Sequence, residues 1–165
     1  MSQDSLRFSD LVRPELILDQ VDASDRDHAL RQMAQFLVDK GYCLPSFVDA
    51  ILERERNHPS ALPMPGHKIA IPHTDADHVE SSAILFARLT EPVEFLSMGS
   101  PDEVLEVRMI SMFALKEKKR IGDLLETLIN VYQHNEILQE ILEAPDRQTI
   151  FHVLRDSVEK YGGVA

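Results

Sequence analysis

An imidazole set at the end of a strand is the feature of this sequence most able to do chemistry. In the run PGHKIAIPHTDA, residues 65–76, Lys68 to Ile71 has the apolar alternation of a sheet strand, Pro72 cannot donate to a ladder and closes it, and His73 follows at once. A strand end is held by its sheet, whereas the loop beyond it is open to a partner. An imidazole with its ordinary pKa of about 6.5 is mostly neutral, and so nucleophilic, at pH 7. Thr74, Asp75, Asp77 and His78 crowd the positions that follow, and Arg54, in the upstream run LERE, carries a fork of donors matched to phosphate oxygens. A plainer account of the same residues has His73 hydrogen-bonded to a carbonyl and Arg54 paired on a helix surface with Glu55 or another acid. Zinc at His67, His73 and His78 would require the strand and loop to bring them together, and no cysteine or further histidine completes a known spacing. His58 lies close by in a proline-rich loop and is a candidate for contacting the site or a partner.

These residues need elements to position them. Leu16 to Leu18 reads as a short first strand. Ser24 with Asp27 resembles a capping box, and Ala29, Met33, Phe36 and Leu37 recur at helical spacing until Gly41, which predicts a helix near 25–40. Pro45 is placed to start a second helix with Phe47, Ile51 and Leu52 on its apolar face and Arg54 near its end, stopping before Pro59. Residues 57–67 hold three of the nine prolines and predict a loop leading to the histidine strand. Residues 82–88 and 105–115 are the strongest further strands, with 93–95 as a short one between them. Helical periodicity then places Ile121, Leu124, Leu125, Leu128, Ile129 and Tyr132 on one stripe and Ile137, Leu138, Ile141 and Leu142 on another, and Asp146 caps a last helix ended by Gly162. Strands alternating with helices predict an α/β fold: a single domain whose mixed β-sheet is sandwiched between α-helices, with an antiparallel pairing where strand follows strand.

Composition narrows the function. The chain has 165 residues, 44% of them hydrophobic, enough for one domain with a real core. It has no apolar run long enough to span a membrane and no apolar stretch at its start of the kind a secretory signal needs, which predicts a cytoplasmic protein without direct membrane insertion. Its single cysteine, Cys43, excludes an internal disulfide and reads as a packing residue. A net charge of −11 argues against nucleic acid and suits a basic protein partner. That charge also opposes a phosphoryl group, so any cations near one must be specific.

Ile-Ala-Ile-Pro-His at 69–73, preceded by Ile-Leu-Glu-Arg-Glu at 51–55, resembles the signature of the type-2 enzyme IIA domains of the bacterial phosphoenolpyruvate:sugar phosphotransferase system, the branch that includes fructose, mannitol, galactitol and nitrogen-related members. The resemblance covers roughly 12–158, leaving 1–11 and 159–165 as tails. It implies the mixed-sheet sandwich. It also implies that His73 is the phosphorylated residue, Arg54 an arginine near the active site, and no metal or organic cofactor. The partners implied are the histidine phosphocarrier protein as phosphoryl donor and a IIB component, with a cysteine, as acceptor, with docking to a membrane-bound IIC complex beyond that. Thr74 or Asp75 is expected to fix the tautomer of His73. The sequence departs from the family at Arg120, which stands where sugar-specific members such as the mannitol type often have a second histidine; an arginine there can supply charge but cannot relay a proton. That departure and the long 57–67 loop tilt the reading towards the galactitol-like subgroup. The rivals are a regulatory relative, whose phosphorylation state controls protein partners, and a binding module that no longer transfers phosphate. Met64, Pro65 and Ala76 are expected on the partner face, with Asp75 and Asp77 as charges at its rim.

Overall fold

In the computed structural model, which describes residues 7–162, a four-stranded sheet is covered by helices on both faces. The strands are β1 (Ile17–Val21), β2 (Ile69–Ala70), β3 (Ala83–Ser97) and β4 (Ser100–Ala114), in the order β1-β3-β4-β2. β1 runs parallel to β3 and β2 parallel to β4, while β3 and β4 are antiparallel, so the sheet is mixed as expected. The helices are α1 (Arg26–Asp39), α2 (Phe47–Asn57), α3 (Ile121–Tyr132), α4 (Asn135–Glu143) and α5 (Arg147–Tyr161).

Strand alternation divides the core in two. Leu85 and Ala87 of β3 and Ile110 and Met112 of β4 pack with Leu30, Met33 and Leu37 of α1 and Phe47 and Ile51 of α2. Ile84, Phe86, Met109 and Phe113 point the other way, into Leu124, Leu128, Tyr132, Ile141, Ile150 and Leu154 of α3, α4 and α5. Phe8 and Leu11, in the stretch expected as a tail, are buried in this second layer.

Local chemistry accounts for the boundaries. The α1 cap is Asp25, whose carboxylate accepts from the His28 amide at 2.8 Å, one residue later than the expected Ser24; the Ser24 amide instead donates to His28 Nδ1 at 3.0 Å. Gly41, at φ +84°, takes the left-handed conformation that lets Tyr42 N–H return to the Leu37 carbonyl at 2.9 Å and end the helix. α2 begins two residues after Pro45 and stops at His58, whose φ of −139° fits a residue before proline. Asp146 caps α5 as expected, accepting from the Thr149 amide at 2.8 Å.

The largest departure from the sequence reading is the hairpin. The strands expected at 82–88 and 93–95 are one 15-residue strand, and β4 begins at Ser100 rather than 105. Thr90-Glu91-Pro92 reads as a break because proline cannot donate to a ladder, yet the pairing absorbs it in a register shift between Arg88 and Val93. Gly99, at φ +82°, makes the tight turn that pairs Ser97 with Ser100.

Candidate functional site

β2 is shorter than the expected 68–71, but the chain stays pinned past its end. The Ile71 amide donates to the Ser60 carbonyl at 3.0 Å, and the Pro72 carbonyl accepts from the Phe113 amide at 3.2 Å. Ala61 bridges Ala70 on one side and Ser97 on the other, so residues 60–62 cover what would be an open sheet edge. His73 emerges from this frame half-buried, its ring stacked on Phe113 with centroids 4.5 Å apart and planes 15° from parallel.

His73 Nδ1 lies 3.1 Å from the Ile71 carbonyl. A carbonyl can only accept, so Nδ1 carries the proton while the ring is neutral, and the Nε2 lone pair is left available. Nε2 makes no hydrogen bond among the described residues and is not one of the buried atoms lacking a partner, so it reaches solvent. The tautomer is therefore set by backbone; neither Thr74 nor Asp75, the candidates for that task, bonds the ring. Burial lowers the His73 pKa below the ordinary imidazole value, the carbonyl bond raises it, the Arg54 charge lowers it, and Asp75 works against Arg54. The balance keeps the ring neutral at pH 7.

His73 opens on a cavity of about 430 Å³ that it shares with Arg54, Arg56, Asn57, His58, the hairpin tip at Met98, Gly99 and Pro101, and Leu125 of α3. Arg54 makes none of the ion pairs found among the described residues. The expected partner Glu55 turns inward, where it is 1% exposed and accepts from the Ser60 amide at 2.9 Å and the Ser60 hydroxyl at 2.7 Å. Burial pushes its pKa up to about 7 against those two bonds. Arg120 is not among the residues lining the cavity; its guanidinium lies 4.4 Å over the Phe8 ring and 3.7 Å from Glu117. Asp75 and Asp77 are exposed beside the site, around a single helical turn at Ala76–His78.

The three histidines considered for zinc diverge. His67 bonds Gln139 and Asn135 of α4, His78 bonds Ser46 at the start of α2, and no group of three metal-binding side chains gathers among the described residues. Cys43 is buried, with its thiol pushed up to about 12 by that burial. No described helix is long and apolar enough to cross a membrane.

The sequence reading missed Phe113, Ser60 and the hairpin tip, which meet His73 only through strand register. Glu55 was legible. It stands four residues after Ile51 and three after Leu52, on the apolar stripe of α2, and a carboxylate on such a stripe signals a buried bond.

The site thus joins a neutral, backbone-anchored imidazole to a cavity bordered by an arginine that makes no ion pair among the described residues, the kind of geometry that nucleophilic attack on an anionic group requires. Comparison with known proteins shows the family. The chain is 27% identical over 124 residues to the galactitol-specific EIIA component of Escherichia coli K12, covering 75% of this chain and 82% of that protein. It is 30% identical over 153 residues to a nitrogen regulatory protein of Bradyrhizobium diazoefficiens, covering 89% and 94%. Its fold superposes with a TM-score of 0.70 on the enzyme IIA–phosphorylated enzyme IIB mannitol complex of Escherichia coli, at 21% identity over 94% of this chain and 97% of that one. Residues 10–157 match the family described as phosphoenolpyruvate-dependent sugar phosphotransferase system, EIIA 2, and the chain belongs to that family.

Proposed function

We propose that this protein is a cytoplasmic phosphocarrier that takes a phosphoryl group onto Nε2 of His73 from the histidine phosphocarrier protein and passes it to a cysteine of a IIB component for sugar uptake. The observation that carries this reading is the anchoring of Nδ1 on the Ile71 carbonyl while Nε2, unpartnered, shares a cavity with Arg54. The Nε2 lone pair forms the new nitrogen–phosphorus bond as the donor's nitrogen–phosphorus bond breaks, its electron pair returning to the donor ring. Because His73 keeps its Nδ1 proton, the phosphorylated ring is cationic, and the Ile71 carbonyl is placed to stabilise that charge. Arg54 faces the phosphoryl oxygens, and Arg120 supports them only through the wider field. Neither a metal nor an organic cofactor is required.

Incubation with phosphoenolpyruvate, enzyme I and the histidine phosphocarrier should add one acid-labile phosphoryl group, and His73→Ala should abolish it. Labelling of the His73→Ala protein to the same extent would remove the assignment. The relative among nitrogen regulatory proteins supports a second reading, in which the phosphorylation state governs binding to protein partners. Mixing the labelled protein with IIB components separates the two: transfer to a IIB cysteine supports transport, and retained label supports regulation.

A further inference from the structure

Glu55 is a buried carboxylate that borders the cavity shared by His73 and Arg54. It has no ion-pair partner among the described residues. Arg26 on the facing helix α1, whose charge acts on Glu55, is itself held by Asp27 at 3.1 Å. A carboxylate in such a place is costly, and a neutral side chain would serve packing better. Its two oxygens are nevertheless both engaged, and both by one residue, Ser60.

Ser60 passes that constraint on. Its carbonyl accepts from the Ile71 amide at 3.0 Å, and two residues later the Ile71 carbonyl meets His73 Nδ1 at 3.1 Å. The Pro72 carbonyl is fixed from the other side by Phe113, whose ring also stacks on the imidazole. The peptide between Ile71 and Pro72 is thus clamped on both flanks, and the carbonyl that selects the His73 tautomer points along the direction the clamp allows. Without Glu55 the Ser60 amide and hydroxyl lose their carboxylate partner, and the Ser60 clamp is free to shift.

We propose that Glu55 is a positioning residue for phosphoryl transfer: it holds Ser60, Ser60 holds Ile71, and the Ile71 carbonyl holds the Nδ1 proton of His73, so that Nε2 alone is presented to the phosphorus. This rests on His73 being the phosphoryl acceptor. A misplacement of about 1 Å at an attacking atom can cost on the order of a hundredfold in rate, so a clamp several bonds away matters.

The test reads His73 itself. Long-range proton–nitrogen NMR on the unphosphorylated protein at pH 8 reports the tautomer, and the rate of phosphoryl acceptance is measured on the same samples. Wild type should show Nδ1–H. Glu55→Ala should show mixed tautomers and accept the phosphoryl group at least about tenfold more slowly. Glu55→Gln, which can still accept from the Ser60 amide and donate to its hydroxyl, should restore the tautomer and most of the rate. A folded Glu55→Ala protein with wild-type tautomer overturns the proposal, whether or not its rate falls. Ser60→Ala serves if Glu55→Ala does not fold: it removes one of the two bonds with little change in volume, and an unchanged tautomer and rate there overturns the proposal equally. Because the tautomer is read without any phosphoryl donor, these outcomes stand apart from the labelling of His73→Ala, which tests the acceptor assignment.

Discussion

Arg88 and Arg54 belong to different elements of the same architecture and are used in opposite ways. Arg88, on β3, donates to the Ile141 carbonyl at 2.9 Å and the Ala144 carbonyl at 2.7 Å, at the end of α4, and to the Asp19 carbonyl of β1 at 3.0 Å. A cation at a helix C-terminus satisfies orphan carbonyls and meets the negative end of the dipole. Arg54, in the last turn of α2, has none of its guanidinium donors in an ion pair among the described residues and borders the cavity at His73. The lesson is that an arginine's task is read from what its donors already hold. The one bonded to carbonyls joins β1, β3 and α4; the one that makes no ion pair among the described residues can meet an anion.

The widest separation between the two regions is expected from Arg88→Ala, which should lower stability by about 3 kcal/mol by leaving several carbonyls unsatisfied. Phosphoryl acceptance by its folded fraction should stay within about twofold of wild type. Denaturant unfolding with parallel transfer assays would show it, and a stable protein with slow transfer would erase the contrast. Arg54→Gln is the mirror case: one charged hydrogen bond to the phosphoryl group is worth on the order of 1.5–3 kcal/mol, so acceptance should fall about tenfold to a hundredfold with the melting temperature unmoved.

Burial lowers the His73 pKa below the ordinary imidazole value, so its phosphoryl acceptance should fall off at lower pH than that of a solvent imidazole. An apparent pKa at or above the ordinary value in the pH–rate profile would contradict that. The sign of the stability effect follows: below pH 6.5 the unfolded chain binds a proton that folded His73 resists, so this contribution is lost as pH falls. Glu55, raised to about 7, runs the other way, its contribution being lost as pH rises through 7, so Glu55→Gln should gain on wild type in stability at pH 8. Smaller still is Phe113→Leu, where loss of a stacked ring worth about 0.5–1.5 kcal/mol should slow transfer severalfold. The least effect is expected from Asp75→Asn with Asp77→Asn: stopped-flow association with the phosphocarrier should slow only at low salt, since exposed charges act through a screening length of about 8 Å at physiological ionic strength.

The layered α/β fold was legible because its signals are periodic and local: the α1 stripe from Ala29 to Leu37, the Asp146 cap and the glycine stop at Gly41 each follow from neighbouring residues. That His73 and Arg54 belong together is suggested by their motifs, and the two share one cavity. Pairing was not. Nothing near Phe113 states that its amide and ring meet Pro72 and His73, because register is decided across the sheet. The hairpin was divided for a related reason, since Pro92 forbids a ladder bond locally while a bulge restores pairing beyond it. Thr74 and Asp75 are the tautomer holders a sequence suggests because side chains are what it displays; the Ile71 carbonyl that bonds Nδ1 is common to every residue type.

The short β2 also has a kinetic consequence. β3 and β4 close through a two-residue turn, so their pairing can form early, while β2 must bring Ile69 back beside Met109 across the whole hairpin at the cost of closing a long loop. With so few ladder bonds, β2 and the 60–62 segment that covers it should be the first part of the sheet to open and the last to close. Native-state hydrogen exchange at the Ile71 amide should accordingly run ahead of exchange at Phe86. The frame that holds His73 is then assembled only when folding is complete, and a partly folded chain would present its imidazole without the Ile71 carbonyl in place.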